Sequence, residues 1–260
     1  MALHALSGDV IPVSKMPVFA HERLLPVHDA LIPLFAGSSD SPAGLVRGQT
    51  VVCAGSVAVS CALGLVAGVT QAGSWAAIVG MPSIGILAAA TIGVSLDRTV
   101  FVNASSVDRA SSIDRIVTAG PAARGDSSAA LSALVDGVDL VVVARSVMAG
   151  LHSSVVRRLQ SRAQSKGSVL VIIGDPPATS VDVRLTARSV QWEGLGDGHG
   201  HLRRRLVSVE MEGRRCPRRR VHSVWLPDTS GALARVDHLV DHTVDHTVDH
   251  TADHSIDRTA

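Results

Sequence analysis

From Thr50 onward the chain alternates short apolar runs with longer apolar segments of helical length. Thr50–Ala54 (TVVCA) is a continuous Val-rich run that predicts a buried strand, Gly55 a tight turn, and the segment to Val69 a buried helix. The pattern then repeats. Trp75–Val79 (WAAIV) predicts a second strand, Pro82–Ile92 a helix with proline in its first turn, and Arg98–Val102 (RTVFV) a third strand. Asp126–Val135 reads as a helix capped by Asp126, and Val138–Ala144 (VDLVVVA) as a fourth strand. Leu151–Lys166 is amphipathic, with Leu151, Val155, Leu159 and Ala163 at i, i+4 spacing and Arg157, Arg158 and Arg162 outward. Gly167 stops it, and Ser168–Ile173 (SVLVII) is the fifth strand. Strands separated by helical segments predict βαβ units and a mostly parallel sheet: an α/β fold.

The period changes after residue 180. Val181–Ala187 sets Val, Leu and Ala against Asp182, Arg184 and Thr186, the alternation of a half-exposed strand. The Gly194–His201 loop (GLGDGHGH) joins it to Arg205–Met211, a second alternating segment, so the pair predicts an antiparallel hairpin at the sheet edge. Gly213–Arg220 (GRRCPRRR) is basic and lacks a hydrophobic period, which places it beyond the last apolar strand. At the other end, residues 1–21 read as a weakly ordered lead, Glu22–Phe35 as a short helix or extended piece on the core, and Gly37–Pro42 as a turn cluster. From Asp237 the sequence is a period-four repeat (DHLV, DHTV, DHTV, DHTA, DHSI, DRTA), expected to be a disordered low-complexity tail. The domain is expected to span 22–226, with 227–260 as tail.

Composition sharpens this picture in three places. Aromatics are nearly absent (three Phe, three Trp, no Tyr), so the core must be Val, Leu, Ile and Ala, as suits buried parallel strands. A net charge of +1 selects no partner. Three scattered cysteines, Cys53, Cys61 and Cys216, rule out a disulfide framework or a CxxC metal site and fit a reduced, cytoplasmic setting. No basic region precedes an apolar block at the N-terminus, so no signal peptide is expected. Residues 48–96 carry no charge, long enough for two spans of about 20 residues. Eight Gly and Pro interruptions, from Gly55 to Gly93, and the missing aromatic belts favour a buried α/β core over a membrane.

Four candidate sites follow. A strand running through Gly55 into a helix invites a phosphate-loop test, which needs GxxxxGK[ST]. Ser60, Cys61 and Ala62 stand where the second glycine, the lysine and the hydroxyl belong, so Gly55, Ser60, Cys61 and Ala62 mark a degenerate loop and no nucleotide cofactor is expected. The fourth strand ends in Ala144 and Arg145 rather than a magnesium-supporting Asp; Asp139 sits at the wrong end for ligand chemistry. The second candidate is an arginine cluster, Arg203, Arg204, Arg205, Arg214, Arg215, Arg218, Arg219 and Arg220, opposed only by Glu210 and Glu212. It could hold phosphates or a protein partner, with Trp192 and Trp225 as stacking rings or core residues; protein docking is the preferred reading. The third is the tail: His238, His242, His246, His250 and His254 would share a helix face and could chelate Zn²⁺ or Ni²⁺, but Val and Thr are poor helix formers, so no metal role is assigned. The fourth, His152, Asp175 and Ser146, has no spacing that makes a triad, and no catalytic residue is assigned.

The ordered set of these segments carries a resemblance. LVRGQTVVCAGSVAVSCALGLVAG followed by GSWAAIVGMPSIGILAAATIGVSLDRTVFV resembles the RecA-type core. More narrowly, residues 22–220 resemble the actinobacterial ImuA-prime group, RecA-like accessory proteins of the damage-inducible mutagenesis cassette. Glu22–Phe35 is similar to that group's "LPV…L" lead, Gln191–Leu202 (QWEGLGDGHGHL) to its Trp-x-Gly-Leu-Gly-x-Gly loop, and Arg204–Arg220 to its closing strand and arginine-rich end. The resemblance implies a RecA-like fold and a non-catalytic partner of an ImuB-type, inactive Y-family-like protein and an error-prone C-family replicative polymerase. It further implies a cytoplasmic protein that joins the nucleoid after damage. The alternatives are a degenerate RecA-like ATPase or DNA-binding recombination modulator, and, less favoured, a small membrane protein.

Overall fold

The computed structural model describes residues 24–36, 43–103, 127–175, 179–195, 199–214 and 216–236. The N-terminal lead, the Gly37–Pro42 turn cluster, Asp126, Arg215 and the period-four repeat with its histidines lie outside the described residues. A small antiparallel pair, β1 (Leu24–Leu25) and β2 (Leu45–Val46), brackets a 3-10 turn over Asp29–Leu31 and the short helix α1 (Ile32–Phe35). The Val-rich run is β3 (Thr50–Ala54), buried along its whole length, and it runs through Gly55 into α2 (Ala58–Gln71).

β4 (Ala76–Val79), α3 (Ile86–Ile92), β5 (Thr99–Val102), α4 (Ser127–Gly137) and β6 (Leu140–Val143) follow. Then come α5 (Arg145–Ala149), α6 (Ser153–Lys166) and β7 (Val169–Ile173). The helix expected over Pro82–Ile92 starts only at Ile86. Gly85 is held in extended backbone at the cap, so the helix cannot continue back to Pro82. α5 was not expected from the pattern; its five residues hold only Met148 buried. Gly167 ends α6 in the left-handed conformation, as its position predicts.

The chain closes with β8 (Val183–Leu195), β9 (Gly200–Gly213), β10 (Cys216–Trp225) and β11 (Ala234–Arg235). All nine strands after β2 form one sheet, in the order β11-β10-β9-β8-β3-β7-β6-β4-β5. From β8 to β5 every pairing is parallel; β8, β9, β10 and β11 pair antiparallel. The fold is α/β with a mostly parallel central sheet and an antiparallel hairpin at one side. One apolar cluster lies between the sheet and α2 and takes in Leu185, Val207, Val224 and Leu226 of the antiparallel part. A second lies on the other face under α4 and α6. Leu233 is buried in the first cluster, so packing continues past residue 226 as far as β11.

One expectation is overturned. Gly213–Arg220 is not a stretch beyond the last strand, because β10 starts at Cys216 and pairs with β9 through Trp225↔Leu206. The strand is polar there because its arginines find polar partners: Arg219 binds Glu210 of β9 and Arg220 donates to the carbonyls of Leu34 and Ala36. Among the described residues no helix is long and apolar enough to cross a membrane.

Candidate functional site

The turn between β3 and α2 is the place where an α/β sheet of this kind would hold phosphate. Gly55 adopts φ +92°, and its open side is filled by the backbone of Ala187 in β8. The Val57 amide donates to the Ala187 carbonyl at 3.2 Å, the Ala58 amide to Gly55 at 3.3 Å and the Ser189 amide to Ser56 Oγ at 3.4 Å. A phosphate cradle aims such amides outward at the ligand; here the Val57 amide is spent on the neighbouring strand. Cys61 and Ala62, at the lysine and hydroxyl positions, are buried in the apolar cluster. Ser60 Oγ accepts a hydrogen bond from Arg205 Nη2 at 3.5 Å. Beneath the turn, a hydrogen bond with Cys61 and full burial push the Cys53 thiol well above its ordinary range. All three cysteines are free and buried.

The other residues weighed for chemistry make structural contacts. Asp139, at the amino end of β6, accepts from Arg47 Nη1 at 2.8 Å and from the Trp75 amide at 3.1 Å, so it ties two strand entries together. Asp175, past the carboxyl end of β7, pairs with Arg184. His152 caps α6, its Nδ1 accepting from the Ser154 amide at 3.3 Å. No hydrogen bond joins Ser146, His152 and Asp175 among the described residues. Past β4 and β5 lies a pocket of about 160 Å³ lined by Ile78, Met81, Ile84, Ile86 and Phe101, with Asn103. Its lining carries no titratable group.

The arginine cluster splits in two. Arg203, Arg204 and Arg205 sit on β9 near the β8–β9 loop, whereas Arg214 follows the far end of β9 and Arg218–Arg220 lie at the start of β10. Eight residues separate Arg205 from Arg214, about 30 Å of extended chain. Most of the second group is engaged internally. Arg214 reaches Ser180 Oγ at 3.2 Å, and Arg219 binds Glu210. Arg220 is half-buried and donates to the carbonyls of Leu34 at 3.2 Å and Ala36 at 2.8 Å. Arg218 is exposed.

The first group belongs to a projecting ribbon. β8 buries alternate residues as far as Ala187, and from Arg188 outward that burial stops on both faces. Across the ribbon Trp192 pairs with Arg205 and Glu193 with Arg204. The Arg205 guanidinium lies 4.9 Å from the Trp192 ring centre, and Arg204 stacks on Trp225 at 3.9 Å. Arg204 Nε also donates to Glu193 at 2.6 Å, and Arg205 Nε to the Leu226 carbonyl at 2.7 Å. Burial lowers the Arg205 pKa from its ordinary value. These contacts escaped sequence reasoning. The arginines and tryptophans are visible in the sequence, but which ring meets which guanidinium depends on bulges near Val190 and Gly194 that set the register.

Comparisons with known proteins add a family. An uncharacterised protein of Mycobacterium tuberculosis, Rv3395c, is 34% identical over 157 residues, covering 58% of this chain. The match spans 64% of that relative's length, just under two thirds. Among solved structures, the crystal structure of the RadB recombinase gives a TM-score of 0.49 at 13% identity, covering 75% of this chain and 94% of that one. Residues 40–178, β3 through β7 included, match the family described as the MT3502 N-terminal domain, and the chain belongs to that family.

Proposed function

We propose that this chain is a non-catalytic accessory factor in DNA-damage-induced mutagenesis, a RecA-like domain that acts through contacts with other proteins. The observation that carries this reading is the turn at Gly55, closed by the Ala187 carbonyl and followed by buried Cys61 and Ala62. A turn whose Val57 amide is bonded to the neighbouring strand has less backbone free to cradle a phosphate, which supports a role through surface contacts. The resemblance of residues 22–220 to the ImuA-prime group supplies the expected partners: an ImuB-type protein and an error-prone replicative polymerase, met in the cytoplasm and at the nucleoid after damage.

The test has two arms. Purified protein should hydrolyse no ATP above background, with or without single-stranded DNA. In cells treated with a DNA-damaging agent, deletion of the gene should abolish induced mutagenesis, and the tagged chain should co-purify with both cassette proteins. Measurable turnover, lost on Ser60→Ala, would sink the non-catalytic reading; unchanged mutation frequency would sink the pathway.

A further inference from the structure

We propose that the outer half of the β8–β9 ribbon is a docking surface for an acidic, apolar segment of a protein partner. The proposal rests on the reading that the chain works by protein contacts and locates where one such contact is made. Val190 is 58% exposed, Trp192 41%, Leu195 65% and Leu202 47%, all within the ribbon beyond Ala187. A projecting ribbon with water on both faces has no folding reason to carry four large apolar side chains in so short a length. The chain has only three tryptophans, and it sets one of them here, half out in solvent. Trp and Arg are the residues that dominate binding energy at protein interfaces.

Charge decides the chemistry of the occupant. Arg188 and Arg203 are exposed and form no ion pair among the described residues, while Glu193, the carboxylate described on the ribbon, is already held by Arg204. Among the described residues of the ribbon the uncompensated charge is therefore positive, which complements an acidic segment. The same inventory disfavours nucleic acid. The guanidiniums best placed beside an aromatic ring are already committed: Arg204 to Trp225 and Glu193, Arg205 to Trp192 and the Leu226 carbonyl. One face of each ring is covered from within, and two arginines are left for phosphates. An apolar anchor with a cationic rim fits a peptide better than a phosphate backbone.

The ribbon is also prepared for binding. An isolated two-stranded ribbon is marginal in water. Here the Arg204–Trp225 stack and the Arg205–Leu226 hydrogen bond fix its base to β10 and the segment after it. A partner then meets a surface whose ordering has already been done during folding.

The experiment uses the full chain and three fluorescent probes: a short peptide alternating Asp/Glu with Leu and Trp, its Asp/Glu–Ser counterpart, and an unstructured oligothymidylate. Anisotropy should show binding of the first peptide only. Leu195→Ser with Leu202→Ser, at two exposed positions that leave the fold alone, should weaken it about tenfold or more, and Arg188→Glu with Arg203→Glu by a similar factor. Arg218→Glu, at the start of β10 and away from the outer ribbon, should leave it unchanged. Equal binding by all variants, or equal binding of the serine peptide, would overturn the proposal. So would tight binding of the oligothymidylate lost in the same variants, which would make the ribbon a nucleic-acid interface. Because no cassette protein enters this assay, its failure leaves the mutagenesis and co-purification tests standing on their own.

Discussion

A Cβ on residue 55 would stand 2.2 Å from the carbonyl oxygen of Ala187, well inside van der Waals contact with the backbone of the neighbouring strand. Two constraints therefore coincide at Gly55, a left-handed φ of +92° and no space. Gly73 isolates the first of them, because it has φ +88° but nothing within 4 Å of its missing Cβ.

Gly55→Ala should thus cost about 3–5 kcal/mol, the left-handed penalty plus the displacement of β8. Gly73→Ala should cost about 1 kcal/mol. Urea denaturation of both variants checks this; equal losses would mean that β8 does not press on the turn.

Arg220 ties β10 to the end of α1 through two carbonyls. Arg220→Ala should destabilise by about 2 kcal/mol, since both acceptors lose a charged donor. Arg218→Ala, on the exposed side, should stay within about 0.5 kcal/mol. Thermal melting of the two variants separates a structural arginine from a solvated one in what reads along the chain as a single basic run.

That basic run shows where sequence reading reaches its limit. β3, β4, β6 and β7 were legible because a parallel strand buried on both faces leaves an unbroken Val/Ile signature, and Gly167 marked a helix end by its backbone need. The burial of Cys61 and Ala62 was legible from the apolar segment that holds them. What closes the turn was not, because Ala187 lies more than a hundred residues away and its carbonyl is the same in every amino acid. Nor was β10: cross-strand pairing of Arg219 with Glu210 writes no periodic pattern into either strand. Arginines of the one cluster diverged for the same reason, Arg220 finding carbonyls and Arg204 a ring, each through a register that only the folded sheet defines.

His28 gives the fold a pH dependence. Its Nδ1 accepts from the Ala30 amide at 3.2 Å at the head of the Asp29–Leu31 turn, a role open only to the neutral ring. Burial lowers its pKa, with Asp29 opposing and Arg235 adding to the shift. The folded state therefore takes up the proton less readily than the unfolded one. Its contribution is present above about pH 6.5 and is lost as pH falls through the lower folded value. His28→Asn keeps an acceptor at the cap and removes the titration. Urea midpoints between neutral and mildly acidic pH should fall less in the variant; parallel curves would exclude His28 as the cause.

The cysteines should be inert in the native state. Cys53 is fully buried, its thiol raised by the Cys61 hydrogen bond and by burial, and only the thiolate reacts. Iodoacetamide should label Cys53 and Cys61 only as fast as the domain opens, with rates that climb as denaturant is added. Rapid labelling in native buffer would show that the β3–α2 turn opens locally.

β8 is shared property: it is parallel to β3 over Val51–Ala54 and antiparallel to β9 along the ribbon. One strand thus belongs at once to the parallel body and to the projecting arm, with a bulge near Val190 just beyond the point where they part. A pull on the arm is therefore passed to the ladder between β8 and β3, beside Gly55. The consequence is mechanical: a change at the arm and a change at the Gly55 turn bear on the same strand.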